Sequence, residues 1–326
     1  MQNLRHGSRA RMAVAGVAVI GSLLLASCGG QGGAPAGGGE GGGQASGQVR
    51  IDGSSTVGPL TSAAAELFRS ENSNVNVTVA TSGTGGGFEQ FCSGNTDISN
   101  ASRPINDEEK ATCMAAGIEF TEMQVANDAL TVVTNPENNW ASCLTVEQLR
   151  TIWGPEAEGR ISNWNQVDPS FPDTPLALFG PGTDSGTFDY FTDAVNGDEG
   201  ASRTDYQASE DDNVLVQGVQ GAPGATGYFG YTFFEENQET LKAVQINSGA
   251  GCVTPSAETV QDGTYTPLAR PLFIYVSNRS FRELPQVAEF VRFYARTDEM
   301  IAEAAGYVGL NDEQRAQLTT AVEGLG

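Results

Sequence analysis

Residues 76–91 read Asn-Val-Thr-Val-Ala-Thr-Ser-Gly-Thr-Gly-Gly-Gly-Phe-Glu-Gln-Phe. The alternation over 76–80 predicts a strand, and Phe88 to Phe91 predict a helix. A cluster of Thr, Ser and Gly separates the two. The same order of strand, small polar cluster and helix recurs along the chain, which predicts an α/β fold with mostly parallel sheets. Ligands of such sheets bind at the carboxyl ends of strands, where the helices begin.

Three other clusters stand at predicted strand ends: Gly53-Ser54-Ser55-Thr56-Val57, Asp97-Ile98-Ser99-Asn100-Ala101-Ser102-Arg103-Pro104 and Gly182-Thr183-Asp184-Ser185-Gly186-Thr187. A helix N-terminus offers unpaired backbone N–H groups and about half a positive charge. Glycine lets an anion approach the backbone closely, and each hydroxyl adds a donor. One such cluster is commonly a helix cap. Four together predict that donors converge on an oxyanion.

Composition narrows the possible functions. The 326 residues include 40 acidic and 17 basic side chains, for a net charge of -23. This acidity argues against nucleic acid as a partner, because phosphates would be repelled along the whole backbone. The single histidine, His6, lies in a segment that we expect to be removed. A chain without histidine excludes Ser-His-Asp catalysis and nearly all His-ligated metal sites. We expect no metal and no cofactor.

The N-terminus is typical of an exported protein. Three arginines in residues 1–11 precede an uncharged apolar run over 12–26 that is too short for a permanent membrane span. Leu25-Ala26-Ser27-Cys28 resembles a bacterial lipobox, whose cysteine becomes lipid-modified and N-terminal. Residues 1–27 are then a signal peptide and 28–48 a Gly-rich tether. The alternative is an ordinary signal peptide with an incidental cysteine. Removing residues 1–27 would change the net charge to -26, since it takes away three arginines and no acids.

Four cysteines remain after Cys28, namely Cys92, Cys113, Cys143 and Cys252. An even number in an exported chain predicts two disulfides with three possible pairings. Reactive or metal-bound thiols are the rival interpretation, but the sequence contains no Cys-x-x-Cys spacing.

The four clusters resemble, in order, the signature blocks of the phosphate-binding lipoproteins that serve phosphate ABC importers. The block Arg270-Pro271-Leu272-Phe273-Ile274-Tyr275 is similar too, and the resemblance runs from Val49 to the C-terminus. It implies a two-lobed type II periplasmic-binding-protein fold with the ligand cleft between the lobes. It also implies that the phosphate is lined by Ser55, Thr56, Val57, Thr84, Ser102, Ser185, Gly186 and Thr187.

Two positions depart from the best-known members of the family. Those members carry a ligand-binding arginine where this chain has Pro181, and an aspartate where Arg103 follows Ser102. We infer that Arg103 supplies the missing guanidinium, since its forked donors suit a phosphate. The alternative is that Arg103 is a surface charge.

A carboxylate in the site would favour phosphate over sulfate. Near neutral pH phosphate keeps a proton that a buried carboxylate can accept, whereas sulfate would face an unpaired negative charge. Asp184 is the leading candidate because it lies within the Ser-Gly-Thr block. Asp128 and the run Glu210-Asp211-Asp212 are weaker ones. Asp97 is expected to brace its own loop.

The family pattern also divides the chain. Lobe 1 is expected to combine residues 49–126 with 265–326, and lobe 2 to span 127–264. The crossing segments are expected near 124–127 and 265–269. Pairs Cys92–Cys113 and Cys143–Cys252 then each fall within one lobe, which favours them over the other two pairings.

These observations predict a phosphate receptor on the outer side of the membrane, lipid-anchored, with the permease subunits of an ABC importer as partners. One alternative is a receptor for another tetrahedral oxyanion, sulfate or molybdate. A second is an extracytoplasmic phosphatase on the same fold. The missing histidines argue against it, and so does the absence of a Gly-x-Ser-x-Gly elbow around Ser185. A surface adhesin without a ligand is the third, and it needs no donor clusters.

Overall fold

The structure is a computed structural model, and it describes residues 45–183 and 185–326. Its strands, β1 to β12, are Gly47–Gly53, Val75–Val79, Ile98–Ala101, Phe120–Thr134, Cys143–Thr145, Ala177–Gly180, Gln207–Ala208, Ala225–Gly230, Lys242–Ala243, Gln245–Asn247, Cys252–Val253 and Ala269–Ser277. Its α-helices, α1 to α12, are Gly58–Glu71, Gly83–Cys92, Asp107–Ala115, Val146–Trp153, Gly186–Asn196, Asp212–Gln220, Tyr231–Asn237, Ala257–Gln261, Asn278–Glu283, Pro285–Arg296, Asp298–Ala305 and Asp312–Glu323. Two 3-10 turns cover Pro155–Ala157 and Trp164–Gln166.

Strands of both directions share the main sheet. Its order is β2-β1-β3-β12-β4-β8-β6-β7, with β9 beside β4. The pairs β1/β2, β1/β3, β6/β7 and β6/β8 are parallel, whereas β12 runs antiparallel to β3 and β4, and β4 runs antiparallel to β8. The expectation of mostly parallel sheets is therefore wrong at the centre. The cause is that β4 and β12 carry the chain between lobes in opposite directions.

Two main hydrophobic cores lie on either side of these crossing strands. Residues of β1, α1, α10 and the first half of β4 form one core, up to Ala126. The other begins at Ala129 and collects the second half of β4, α4, α5 and Tyr228. The protein is thus a two-lobed α/β structure, as the sequence predicts. Ala45 is buried in the first core and β1 begins at Gly47, so residues 45–48 belong to the folded part and not to the tether, which we expected to end at residue 48.

Both favoured disulfides are present. Cys92 is bonded to Cys113, and Cys143 to Cys252. The expected signal peptide and Cys28 lie outside the described residues. Within 45–183 and 185–326, no helix has the length and apolar character needed to cross a bilayer.

Glycine controls how closely α2 packs on β1. The sequence predicts a helix only from Phe88, but α2 begins at Gly83, so the glycine run forms its first turns. A Cβ at Gly87 would lie 2.4 Å from the Cα of Gly53 and 2.9 Å from the Oγ of Ser99. Gly53 itself has a φ of +140°, and a Cβ there would lie 2.1 Å from the carbonyl oxygen of Asn100. The first two clusters therefore touch backbone to backbone, which larger residues would prevent.

We predict that Gly87→Ala lowers the free energy of unfolding by about 1–3 kcal/mol, because the added methyl group overpacks a backbone contact. Gly85→Ala is the matched control. It lies in the same helix, and a Cβ added there would have no neighbouring atom within 4 Å. Alanine at this position also gains helix propensity of up to about 1 kcal/mol. Urea unfolding of both variants measures the difference. Equal losses in the two would contradict the packing explanation.

Candidate functional site

Two adjoining cavities lie at the ends of the strands, and both are lined by Ser55 and Thr56. The arginine cavity has a volume of about 620 Å³, and its lining includes Thr84, Ser102, Arg103, Asp189, Tyr190 and Arg270. The aspartate cavity has a volume of about 330 Å³, and its lining includes Asp128, Gly186, Thr187, Asp212 and Tyr307. We use "the cleft" for these two cavities together. Each cavity takes residues from both lobes.

The lobe 1 side joins three of the predicted clusters. Thr84 lies in the first turn of α2, and Ser102 follows β3. Their hydroxyl oxygens are 3.2 Å apart, and the backbone N–H of Ser102 donates to the Oγ1 of Thr84 at 3.2 Å. Ser55 and Thr56 follow β1, immediately before α1. Parallel pairing of β1 with β3 brings these strand ends side by side.

The lobe 2 side is the N-terminus of α5. Ser185 caps this helix by accepting a hydrogen bond from the N–H of Thr187 at 3.2 Å. A Cβ at Gly186 would lie 3.4 Å from the Oγ1 of Thr56, so the helix end directly faces the first cluster of lobe 1. Because the N-terminus of this 11-residue helix faces the cleft, its partial positive charge points into the cleft. Residues from all four clusters are thus brought together.

The predicted site residue Val57 is not on the cleft surface. It is fully buried in the first core and is absent from the lining of both cavities. Its side chain is apolar and packs under α1, and its N–H points at the Oγ of Ser54 at 3.4 Å. Its expected contact with the ligand is therefore not a side-chain contact. Asp184, the leading proton acceptor, lies outside the described residues.

Arg103 lines the arginine cavity, but its forked end is already occupied. Its two terminal nitrogens donate to the carboxylate oxygens of Glu109 at 2.9 and 2.7 Å, and one also donates to the carbonyl of Pro104. Its side chain is 44% exposed. The bidentate donation that we expected Arg103 to make to an anion is instead made to Glu109, six residues along the chain.

Arg270 is a cleft residue without a predicted role. It lies on β12, and its Nε donates to the Oδ2 of Asp128 at 3.1 Å while Nη2 donates to the Oγ1 of Thr56 at 2.9 Å. Its guanidinium carbon lies 3.6 Å from the centre of the Tyr190 ring. The signal in the sequence was an arginine at the start of an otherwise apolar strand, inside a block already noted for its resemblance.

Of the other predicted carboxylates, Asp128 and Asp212 both line the aspartate cavity, whereas Asp97 lines neither cavity of the cleft. Asp97 is buried and accepts hydrogen bonds from Arg50 and Ser280, so it braces its loop as expected. Asp128 is buried; desolvation raises its pKa, and the charge of Arg270 partly offsets this. Within the acidic run, Asp211 caps α6 and Asp212 reaches the aspartate cavity.

Three more acids, Asp189, Asp193 and Glu199, line the arginine cavity. Over the part of the chain that the structure describes, no group of three or more His, Cys, Asp or Glu side chains is arranged to hold a metal ion.

The fold and the cleft define a two-lobed substrate-binding protein, and comparison with known proteins agrees. The model of a PBP superfamily domain matches residues 38–298. The chain is 48% identical to the protein SphX of Synechocystis over 265 residues, 81% of this chain and 79% of that one. It is 42% identical to the phosphate-binding protein PstS of Staphylococcus saprophyticus over 297 residues, 90% of this chain and 89% of that one.

A solved structure is similar as well. The crystal structure of a possible phosphate binding protein from Planctomyces limnophilus aligns with a TM-score of 0.81 and 44% identity, covering 86% of this chain and 99% of that one. This chain therefore belongs to the PstS and SphX family of substrate-binding proteins within the PBP superfamily.

We predict that Asp212→Asn stabilises the protein above pH 6 and not below pH 4. Burial, together with the charges of Asp211 and Glu210, raises the pKa of Asp212 to about 6, against about 3.9 in the unfolded chain. Ionising Asp212 therefore costs folded-state stability, and this cost disappears as the pH falls through 6 towards 4. With solvent screening, the gain at pH 8 should be about 1 kcal/mol.

Urea unfolding of the ligand-free variant at pH 4, 6 and 8 measures this gain. Asp193→Asn, which removes an exposed carboxylate on α5, is the matched control for the loss of one negative charge. A gain for Asp212→Asn that stays constant with pH would contradict the prediction.

Proposed function

We propose that this protein binds inorganic phosphate in the cleft and delivers it to the permease subunits of an ABC importer. One observation carries the proposal: three hydroxyls at the cleft and its edge each accept a hydrogen bond from a protein N–H. Thr56 accepts from Arg270, Thr84 from the backbone of Ser102, and Ser185 from the backbone of Thr187. The hydroxyls of Thr56 and Ser185 each keep a proton to donate, and the hydrogen-bonded pair of Thr84 and Ser102 hydroxyls keeps at least one between them. The site is rich in donors and therefore suits an anion with several acceptor oxygens.

Family membership supports the same ligand, because its relatives include proteins named for phosphate binding. A hydroxyl site also serves sulfate or molybdate, so the preference for phosphate needs a carboxylate that accepts the phosphate proton. Asp212 lines the aspartate cavity beside Thr187, and Asp184 adjoins Ser185 in the sequence. We propose that one of these two carboxylates accepts the proton.

The test is calorimetry of the chain from residue 45 onward with phosphate, arsenate and sulfate at pH 8. We expect phosphate and arsenate to bind and sulfate to bind at least about 100-fold more weakly, since an unpaired buried charge costs several kcal/mol. Sulfate binding as tight as phosphate binding would favour the receptor for another oxyanion. Release of product from a chromogenic phosphate ester above the blank, with or without divalent metal, would favour the phosphatase.

We further propose that Cys28 is lipid-modified and anchors the protein on the outer side of the membrane. The lipobox-like residues 25–28 and the Gly-rich stretch after them support this, and two disulfides fit an oxidising compartment. Expression of the full chain and of Cys28→Ser in a bacterial host, followed by detergent phase partition, tests it. The native chain should enter the detergent phase and the variant the aqueous phase. Identical partition would refute the anchor.

A further inference from the structure

Arg270 is more deeply buried than Arg103, the other arginine that lines the cleft. Its side chain is 19% exposed, against 44% for Arg103. It contacts Thr56 of lobe 1 through a hydrogen bond and Tyr190 of lobe 2 through its ring face. It therefore lies at the floor of the cleft with a contact to each lobe, whereas Arg103 lies at the edge.

Asp128 fixes the orientation of this guanidinium. Asp128 and Arg270 are direct cross-strand partners in the antiparallel pairing of β4 with β12. The carboxylate takes the Nε–H, and Thr56 takes one hydrogen of Nη2. A guanidinium has five N–H donors. Among the described residues the remaining three, on Nη1 and Nη2, make no hydrogen bond, so the outer edge of the fork is open to a ligand.

The ring of Tyr190 supports one face of the Arg270 guanidinium. The guanidinium stacks on its ring at 3.6 Å, and the hydroxyl of Tyr190 itself donates to the carbonyl of Pro267 at 2.8 Å. A guanidinium fixed in plane by a carboxylate and face-on by an aromatic ring loses little entropy when it binds an anion. Arg103 would first have to leave its bidentate contact with Glu109.

We propose that Arg270, and not Arg103, is the arginine that binds the anion, and that Asp128 is the residue that positions it. This inference rests on the proposed phosphate binding. It places the charged ligand contact on a crossing strand instead of on the loop before α5, where the chain has Pro181. An anion bound by Arg270 next to Thr56 and the N-terminus of α5 contacts both lobes and the strand that joins them.

The test compares Arg270→Lys with Arg103→Lys by phosphate calorimetry at pH 8. Both substitutions keep the charge and remove the planar fork. We expect Arg270→Lys to lose phosphate affinity by about 100-fold or more and Arg103→Lys to lose it by less than about threefold. Loss confined to Arg103→Lys, or equal losses in both, would overturn the assignment. Wild-type protein that binds no phosphate would instead refute the proposed function.

Folding must be separated from binding, because an altered Arg270 leaves Asp128 buried with a poorer partner. Urea unfolding identifies the variants that remain folded. The double variant Arg270→Gln with Asp128→Asn, called the neutral pair, removes both charges and so leaves no unpaired buried charge. Its phosphate affinity should fall as far as that of Arg270→Lys. A neutral pair that is folded and binds phosphate as tightly as wild type would also overturn the proposal.

The positioning role has its own measurement. Removing a negative charge beside an anion should raise affinity if Asp128 acted by charge alone. We expect Asp128→Ala to lower phosphate affinity, and the combination of Asp128→Ala with Arg270→Lys to lose less than the product of the two single losses. A rise in affinity for Asp128→Ala, or a double variant whose loss equals that product, would show that Asp128 does not position Arg270.

Discussion

The antiparallel pairing of β4 with β12 is the constraint on which the site depends. Nine cross-strand partners run from Ala129 opposite Ala269 to Phe120 opposite Ser277, with one irregularity at Leu272/Phe273. This register places Asp128 opposite Arg270. A slip of one residue would turn one of the two side chains to the other face of the sheet. The ion pair at the floor of the cleft is therefore a consequence of the same pairing that joins the lobes.

Local donors would have to hold an anion in the cleft, because the protein as a whole repels it. The net charge of -23 is the sum over the whole chain. Salt at about 0.1 M screens the interaction between exposed charges that lie more than about 10 Å apart. The hydroxyls, the α5 N-terminus and, as we propose, Arg270 would act within hydrogen-bonding distance of the anion, where such screening is weak. Net charge then affects the rate of encounter and solubility more than it affects recognition. Asp189, Asp193 and Glu199 on the cleft wall extend this repulsion to the entrance.

Local sequence patterns were sufficient to predict the donor clusters and an α/β fold, whereas the two lobes were implied by the family resemblance. A strand followed by Ser, Thr and Gly before a helix is a short-range signal, and it located Thr84, Ser102 and Gly186 on the cleft correctly. The central antiparallel strands were missed because β12 pairs with β4 more than 140 positions away. The same distance hid the contact of Arg270 with Asp128. No pattern within one segment could show that its partner is Asp128.

Arg103 shows a second limit of local sequence patterns. Its position next to Ser102 suggested a ligand contact, but a carboxylate six residues later competes for it. Glu109 is held in place by the capping box at the start of α3, where Asn106 and Glu109 bind each other's backbone N–H groups. The Asn-x-x-Glu signal of that box is readable in the sequence. What it did not reveal is that the capping carboxylate also faces the arginine.

The arrangement of hydroxyls has a consequence for selectivity. Thr56, Thr84 and Ser185 each accept a hydrogen bond from an N–H, so Thr56, Ser185 and the hydrogen-bonded pair of Thr84 with Ser102 would offer protons to an anion in the cleft. Arg270 and the α5 N-terminus present only donors. Phosphate and sulfate accept from such a set equally well, since both offer four oxygens of the same geometry. Discrimination between them therefore cannot arise from the donors, however well they are oriented. It has to come from an acceptor on the cleft wall. A carboxylate there acts most strongly, because it accepts the proton that phosphate retains and leaves sulfate beside an unpaired negative charge.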